Sequence, residues 1–112
     1  MFETNELPLE ILEIESMASG NQSLRLTDRI EWEQFPQYAE SVIASLEGTI
    51  LRQADGPDER VWTAVVQGAL FWISFDELVF AVSLDSQNEA ASGLIPEIRR
   101  KLLALRDSRK AR

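Results

Sequence analysis

Between residues 49 and 85, four runs of strand-forming residues follow one another across links too short to hold a helix: 49–54, 60–67, 69–75 and 78–85. Strands joined this closely pair as antiparallel hairpins, because a parallel return needs a crossover of about a dozen residues or more. Asp55-Gly56-Pro57-Asp58, Gly68 and the pair Asp76-Glu77 supply the turns. The fold must therefore be built around an antiparallel meander, and the remaining segments have to supply whatever covers it.

Ahead of the meander, Leu12 and Ile14 alternate with Glu13 and Glu15, the period of two expected of a half-buried strand. Ile11-Leu12 breaks that alternation and implies a late strand start or a bulge. Ser19-Gly20-Asn21-Gln22 is turn chemistry, and residues 23–30 alternate again, so the two runs predict a β-hairpin. At Trp32 the period changes. Trp32, Phe35, Ala39, Val42, Ile43 and Leu46 recur at three- and four-residue steps and share one helical face. Asp28-Arg29-Ile30-Glu31 has the spacing of a capping box, Pro36 fits the first helical turn, and Gly48 is the expected left-handed stop. Residues 86–93 are polar and suggest a loop with one helical turn. Pro96 suits the first turn of a final helix, whose Ile95, Ile98, Leu102 and Leu105 form an apolar stripe that leaves out Arg99, Arg100 and Lys101. The predicted order is β-β-α-β-β-β-β-α. It corresponds to a two-layer α+β domain, an antiparallel sheet of about five to six strands with two helices on one face. A chain of 112 residues has room for one such domain, 1–112, with 1–8 as a loose leader and 106–112 as a basic tail.

The central strands carry the most informative feature. One places Val61 and Val65 opposite Trp62, Ala64 and Val66; the next places Phe71, Ile73 and Phe75 opposite Leu70 and Trp72; the last offers Leu78, Phe80, Val82 and Leu84 opposite Val79 and Ala81. A sheet with one wet face alternates between apolar and polar, and these strands are apolar on both sides. Something is expected to cover the second face, since a patch holding two tryptophans exceeds what an exposed monomer surface usually carries. The candidates are the N-terminal hairpin folded across the sheet, loops or the leader closing over Trp62 and Trp72, and a second copy of the chain, with Trp62, Val66, Leu70 and Trp72 as the expected interface. Twofold dimers are the commonest homo-oligomers, so a homodimer is the expected partner arrangement.

The chain contains no histidine and no cysteine, which removes the usual neutral-pH general base, thiolate metal sites, disulfides and the common nucleophilic triads. Neither phosphate-binding glycine motif is present. Carboxylates remain. Asp55, Asp58 and Glu59 form the best local cluster for a hard cation, though without the spacing of an EF-hand loop; hydrogen bonding to their own turn is the simpler reading. Asp76 and Glu77 read as a solvated hairpin end, Glu10, Glu13 and Glu15 as a solvated strand face, and Tyr38 as a lone phenol. No catalytic, cofactor-binding or metal residue is assigned, and the chain is not expected to be an enzyme.

The net charge of −8 is uneven: residues 1–48 hold ten acids against two bases, 49–95 seven against two, and 96–112 two against seven. An acidic body repels phosphate backbones, so nucleic acid is disfavoured except through the basic end, where cations also complement the helix dipole. No run approaches the roughly 20 apolar residues of a membrane span, and the acidic N-terminus is unlike a secretory signal. A cytoplasmic setting is expected.

Trp32-x-x-Phe35-Pro36-x-x-Ala39, then Asp58-x-Arg60-x-Trp62, then Gly68-x-x-Phe71-x-Ile73-x-Phe75-Asp76-Glu77, together resemble a small bacterial family, domain of unknown function 3630. The likeness runs from about Leu24 to Leu84 and rests on the order and spacing of its pieces. It implies a bacterial protein of about one domain and brings no activity and no catalytic residues. The functional expectation is a small adaptor or binding module, acting through its surface on itself or on a protein partner. The alternatives are a carboxylate-only metal or small-ligand protein, and nucleic-acid contact through the C-terminal helix.

Overall fold

The computed structural model describes residues 7–108. Its elements follow the expected order: β1 (Glu13–Ser16), β2 (Gln22–Thr27), α1 (Phe35–Ser45), β3 (Thr49–Asp55), β4 (Glu59–Val66), β5 (Ala69–Asp76), β6 (Ala81–Ser86) and α2 (Glu89–Ser108). They form one six-stranded antiparallel sheet, ordered β1-β2-β6-β5-β4-β3, in a two-layer α+β architecture. The meander β3 to β6 runs inward from one edge, and the N-terminal hairpin joins it side by side through β2 and β6. The hairpin thus extends the sheet instead of folding across it.

Register decides which residues face the helices. Leu24 pairs with Leu84, Leu84 with Ile73, and Ile73 with Trp62. Directly opposed residues share a face, so this row and its parallels form the floor of the core, and all four side chains are buried. Phe35 of α1 sits on that floor, its ring centroid 5.2 Å from Trp62 and 5.8 Å from Phe75. Ala91, Ile95, Ile98 and Leu102 form the buried stripe of α2.

Several boundaries differ from the sequence expectation, each for a local reason. A 3-10 turn, Trp32–Gln34, precedes α1, and the Glu31 N–H donates to Gln34 Oε1 at 2.8 Å. The capping interaction therefore lies three residues beyond the Asp28–Glu31 pair. At the other end of α1, Glu47 and not Gly48 takes the left-handed conformation, with φ of 59°. Gly48 N–H donates to Ile43 O at 2.8 Å and Glu47 N–H to Ala44 O at 2.9 Å, the paired bonds of a Schellman stop. The last strand starts at Ala81 and not Leu78. Asp76 pairs with Ala81, its Oδ1 accepts the Leu78 N–H at 3.0 Å, and Phe80 is left-handed at φ 53°, so residues 77–80 form the turn. Helix α2 begins well before Pro96, because Asn88 Oδ1 caps the Ala91 N–H at 2.9 Å. Pro96 lies inside the helix on its exposed side, where water can reach the Ser92 carbonyl that the ring leaves without a donor.

The segment before β1 is part of the core. Of the expected leader 1–8 and tail 106–112, residues 1–6 and 109–112 lie outside the described residues, while Leu7, Leu9 and Leu12 are fully buried. Three donors hold their backbone: Tyr38 Oη to Pro8 O at 2.6 Å, Arg99 Nε to Leu12 O at 2.6 Å, and an Arg106 guanidinium nitrogen to Leu9 O at 3.2 Å. Leu12 is left-handed at φ 50°, which is the break in alternation seen at Ile11-Leu12.

Glu10 secures the same segment. Its carboxylate accepts the Thr27 hydroxyl at 2.7 Å and the Asp28 N–H at 3.0 Å. Burial raises its pKa, but the hydrogen bonds from the Asp28 amide and the Thr27 hydroxyl outweigh that, and the net value lies below the ordinary glutamate range. A folded pKa below the unfolded one contributes stability above the unfolded value of about 4.3; the contribution disappears as pH falls through the folded pKa. Glu10→Gln is expected to cost about 1 kcal/mol at pH 7. In thermal melts followed by circular dichroism, its gap from the wild type should shrink between pH 5 and pH 3. A gap that stays constant would show that the charge is not what Thr27 and Asp28 recognise.

Candidate functional site

The four residues expected at the interface do not share a face. Trp62 and Val66 are in the core, Trp62 only 2% exposed, whereas Leu70 and Trp72 stand on the opposite side at 37% and 42%. The alternation within each strand is as read; the phase between β4 and β5 corrects it. Val66 pairs with Ala69 across the two-residue turn Gln67-Gly68, whose φ values of 52° and 76° are both positive, as a type I′ hairpin requires. That pairing sets Trp72 beside Thr63 and away from Trp62.

The face turned from the helices can be mapped row by row from the register. One row reads Thr49, Val65, Leu70; the next Arg52, Thr63, Trp72, Asp85, Ser23, Glu15; the third Ala54, Val61, Ser74, Ser83, Arg25, Glu13. The face divides in two. Over β3 to β5 it is apolar around Trp72, and over β6 to β1 it is a polar floor of serines with charges at the rim. Asp85 marks the border. Its carboxylate accepts the Ser23 hydroxyl at 2.5 Å and the Ser74 hydroxyl at 3.3 Å, and no cation pairs with it among the described residues. Arg52, on edge strand β3, likewise has no ion-pair partner among the described residues. Arg25 is held by Glu15 at 3.6 Å. A shallow cavity of about 210 Å³ lies toward the β5–β6 turn, bounded by Arg25, Ser74, Ser83 and Val79.

Elsewhere the candidate chemistry resolves into structure. Asp55 Oδ1 accepts the Trp62 indole N–H at 3.0 Å and stands 3.7 Å from Arg60 Nε. The Arg60 guanidinium lies 4.3 Å above the Trp32 ring, a cation–π contact of about 0.5–2 kcal/mol. Asp58 contributes its backbone carbonyl to the Glu77 N–H. Among the described residues no three carboxylates converge as cation ligands. Glu13 and Glu15 lie at the exposed β1 edge, and Tyr38 is spent on the Pro8 carbonyl. Arg99 and Arg106 are engaged with the N-terminal segment, which leaves less of the basic end for an outside ligand. Sequence alone singles out neither Arg52 nor Asp85, two charges of this face without ion-pair partners among the described residues, nor the exposed tip Leu78, Val79 and Phe80. The two-residue turn fixes only the phase of β4 against β5; placing Arg52 and Asp85 also takes the bulged β3–β4 register and the β5–β6 pairing.

A six-stranded antiparallel sheet with the described helices on one side, and an apolar half-face around Trp72 on the other, defines a two-layer α+β domain with one sheet face left open by the described residues. The residues that carry the family resemblance meet in its core, where Trp32, Phe35, Arg60, Trp62 and Phe75 pack together. The chain belongs to the family described as Protein of unknown function (DUF3630), whose model matches residues 12–97. The match is wider at both ends than the stretch that shows the likeness by eye. No curated protein and no solved structure matches the chain. Among the described residues no helix is long and apolar enough to cross a membrane.

Proposed function

We propose that this protein is a bacterial, cytoplasmic binding module without catalytic activity, and that it works through the uncovered face of its sheet. The observation that supports the reading is Trp72. It is 42% exposed at the centre of a sheet face, flanked by Leu70, Val61 and Val65, with none of the described elements laid over it. Large aromatic side chains in such positions anchor protein interfaces, since they exclude much water for little lost conformational freedom.

Hydroxyl-radical footprinting of the full chain tests this, with oxidation at Trp72 read by mass spectrometry and the buried Trp62 as the internal reference. Trp72 should oxidise readily in dilute purified protein and be shielded several-fold in a concentrated sample or a bacterial lysate. Equal labelling in every sample would mean the face has no occupant, and the reading would fall.

A further inference from the structure

Resting on that reading, we infer that the occupant of the uncovered face is a second copy of this chain, related by a twofold axis along the boundary between β4 and β5. The residue map and the charges of this face both favour it. Within one copy Arg52 on β3 and Asp85 on β6 are three strands apart, roughly 14 Å at about 4.8 Å per strand. They cannot meet, and neither has an ion-pair partner of its own among the described residues. A twofold axis parallel to the strands, lying in the plane between two stacked faces, exchanges β4 with the other copy's β5 and β3 with its β6. The row Arg52, Thr63, Trp72, Asp85 then falls on its own reverse. Arg52 of each copy meets Asp85 of the other, and Trp72 covers Thr63.

The neighbouring rows fit the same operation. Val65 falls against Leu70 of the second copy, Val61 against Ser74, and Ala54 against Ser83, so small or apolar groups face one another throughout. Other axes fit worse. An axis across the strands stacks Arg52 on Arg52 and Asp85 on Asp85. An axis between β5 and β6 sets Trp72 on the Asp85 carboxylate and buries the serine floor. The one unfavourable meeting is Glu59 with Asp76 of the second copy, both exposed at the outer end of the strands. There the twist of stacked sheets carries side chains apart and solvent screens them. The contact spans about four strands and about six residues, a projected face of roughly 400 Å² per copy. That is small for a stable interface, so association at tens of micromolar is expected.

The pairing is reciprocal, which gives a sharp test by sedimentation velocity. Arg52→Glu places like charges at both contacts, and so does Asp85→Lys; each alone should weaken self-association at least tenfold. Mixed in equal amounts, they restore both pairs, and dimer should return to near the wild-type level. Circular dichroism establishes that each variant is folded. Should Asp85→Lys fail to fold, Val61→Cys and Ser74→Cys replace it, since the chain has no cysteine of its own. A mixture of those two proteins should oxidise to a mixed disulfide dimer faster than either does alone. A wild type that stays monomeric at several hundred micromolar overturns the inference. So does a mixture that fails to recover association, or one that forms no preferred mixed disulfide. If Trp72 is nonetheless shielded in the lysate, the binding-module reading survives with a different occupant.

Discussion

Phe35→Ala should cost about 3–5 kcal/mol of unfolding free energy, a large part of the roughly 5–15 kcal/mol that a domain of this size possesses. Phe35 is fully buried at the first turn of α1, with Trp62 and Phe75 of the sheet both in ring contact with it. Truncation leaves a void lined by two aromatic rings that are themselves fixed by β4 and β5, so the site has little means to collapse. Trp62 cannot follow, because its indole nitrogen is tied to Asp55. Chemical denaturation followed by tryptophan fluorescence measures the loss, and near-ultraviolet dichroism should lose intensity as the rings become mobile. A cost below 1 kcal/mol would mean that α1 shifts to fill the space.

A second large effect is expected at Gly48. A Cβ added there would stand 2.6 Å from the Val65 carbonyl oxygen, 2.8 Å from Val66 Cγ2 and 3.0 Å from Ile43 Cγ2. The nearest of these is backbone of a paired strand and cannot rotate aside, so Gly48→Ala should cost about 3 kcal/mol. The neighbouring change should act in the opposite direction. Glu47 holds a left-handed conformation that costs a non-glycine residue about 1 kcal/mol, and Glu47→Gly should return a good part of it in an equilibrium urea titration. The two adjacent positions thus separate two roles that the sequence reading had combined in Gly48: glycine is present for space, while its neighbour makes the turn.

That reassignment shows where sequence was informative and where it stopped. Periodicity located the N-terminal hairpin and both helices, and runs of strand-forming residues between turn signals located the four meander strands; neither signal needs knowledge of the neighbours. What a strand pairs with is a relation between elements. Leu78 and Phe80 continue the alternation of Val82 and Leu84, yet they belong to the turn, because the Asp76–Ala81 pairing ends the ladder before reaching them. Trp62 and Trp72 looked equivalent by composition, and only the register at Gln67-Gly68 sends one to the core and the other to solvent. Pro96 suggests a helix start because proline is most often tolerated there, but the Asn88 cap starts α2 well before it. The Arg52 and Asp85 positions lie 33 residues apart in sequence, and only the pairing of β3 to β6 places them in one row of the sheet.

The junction between β2 and β6 also governs the order in which this chain can become native. Ser23 and Asp85 are 62 residues apart, Arg99 reaches Leu12 across 87, and Arg106 reaches Leu9 across 97. During synthesis the β1–β2 hairpin emerges before its partner strand and must wait, with one long edge unsatisfied, until β6 has been made. Closure over such separations is slow compared with helical proteins of the same length. The meander, whose contacts are local, is the part able to form early. The β1–β2 hairpin is therefore among the last parts to be locked in place, and the interval before β6 arrives is when the nascent protein is most open to pairing with the wrong strand.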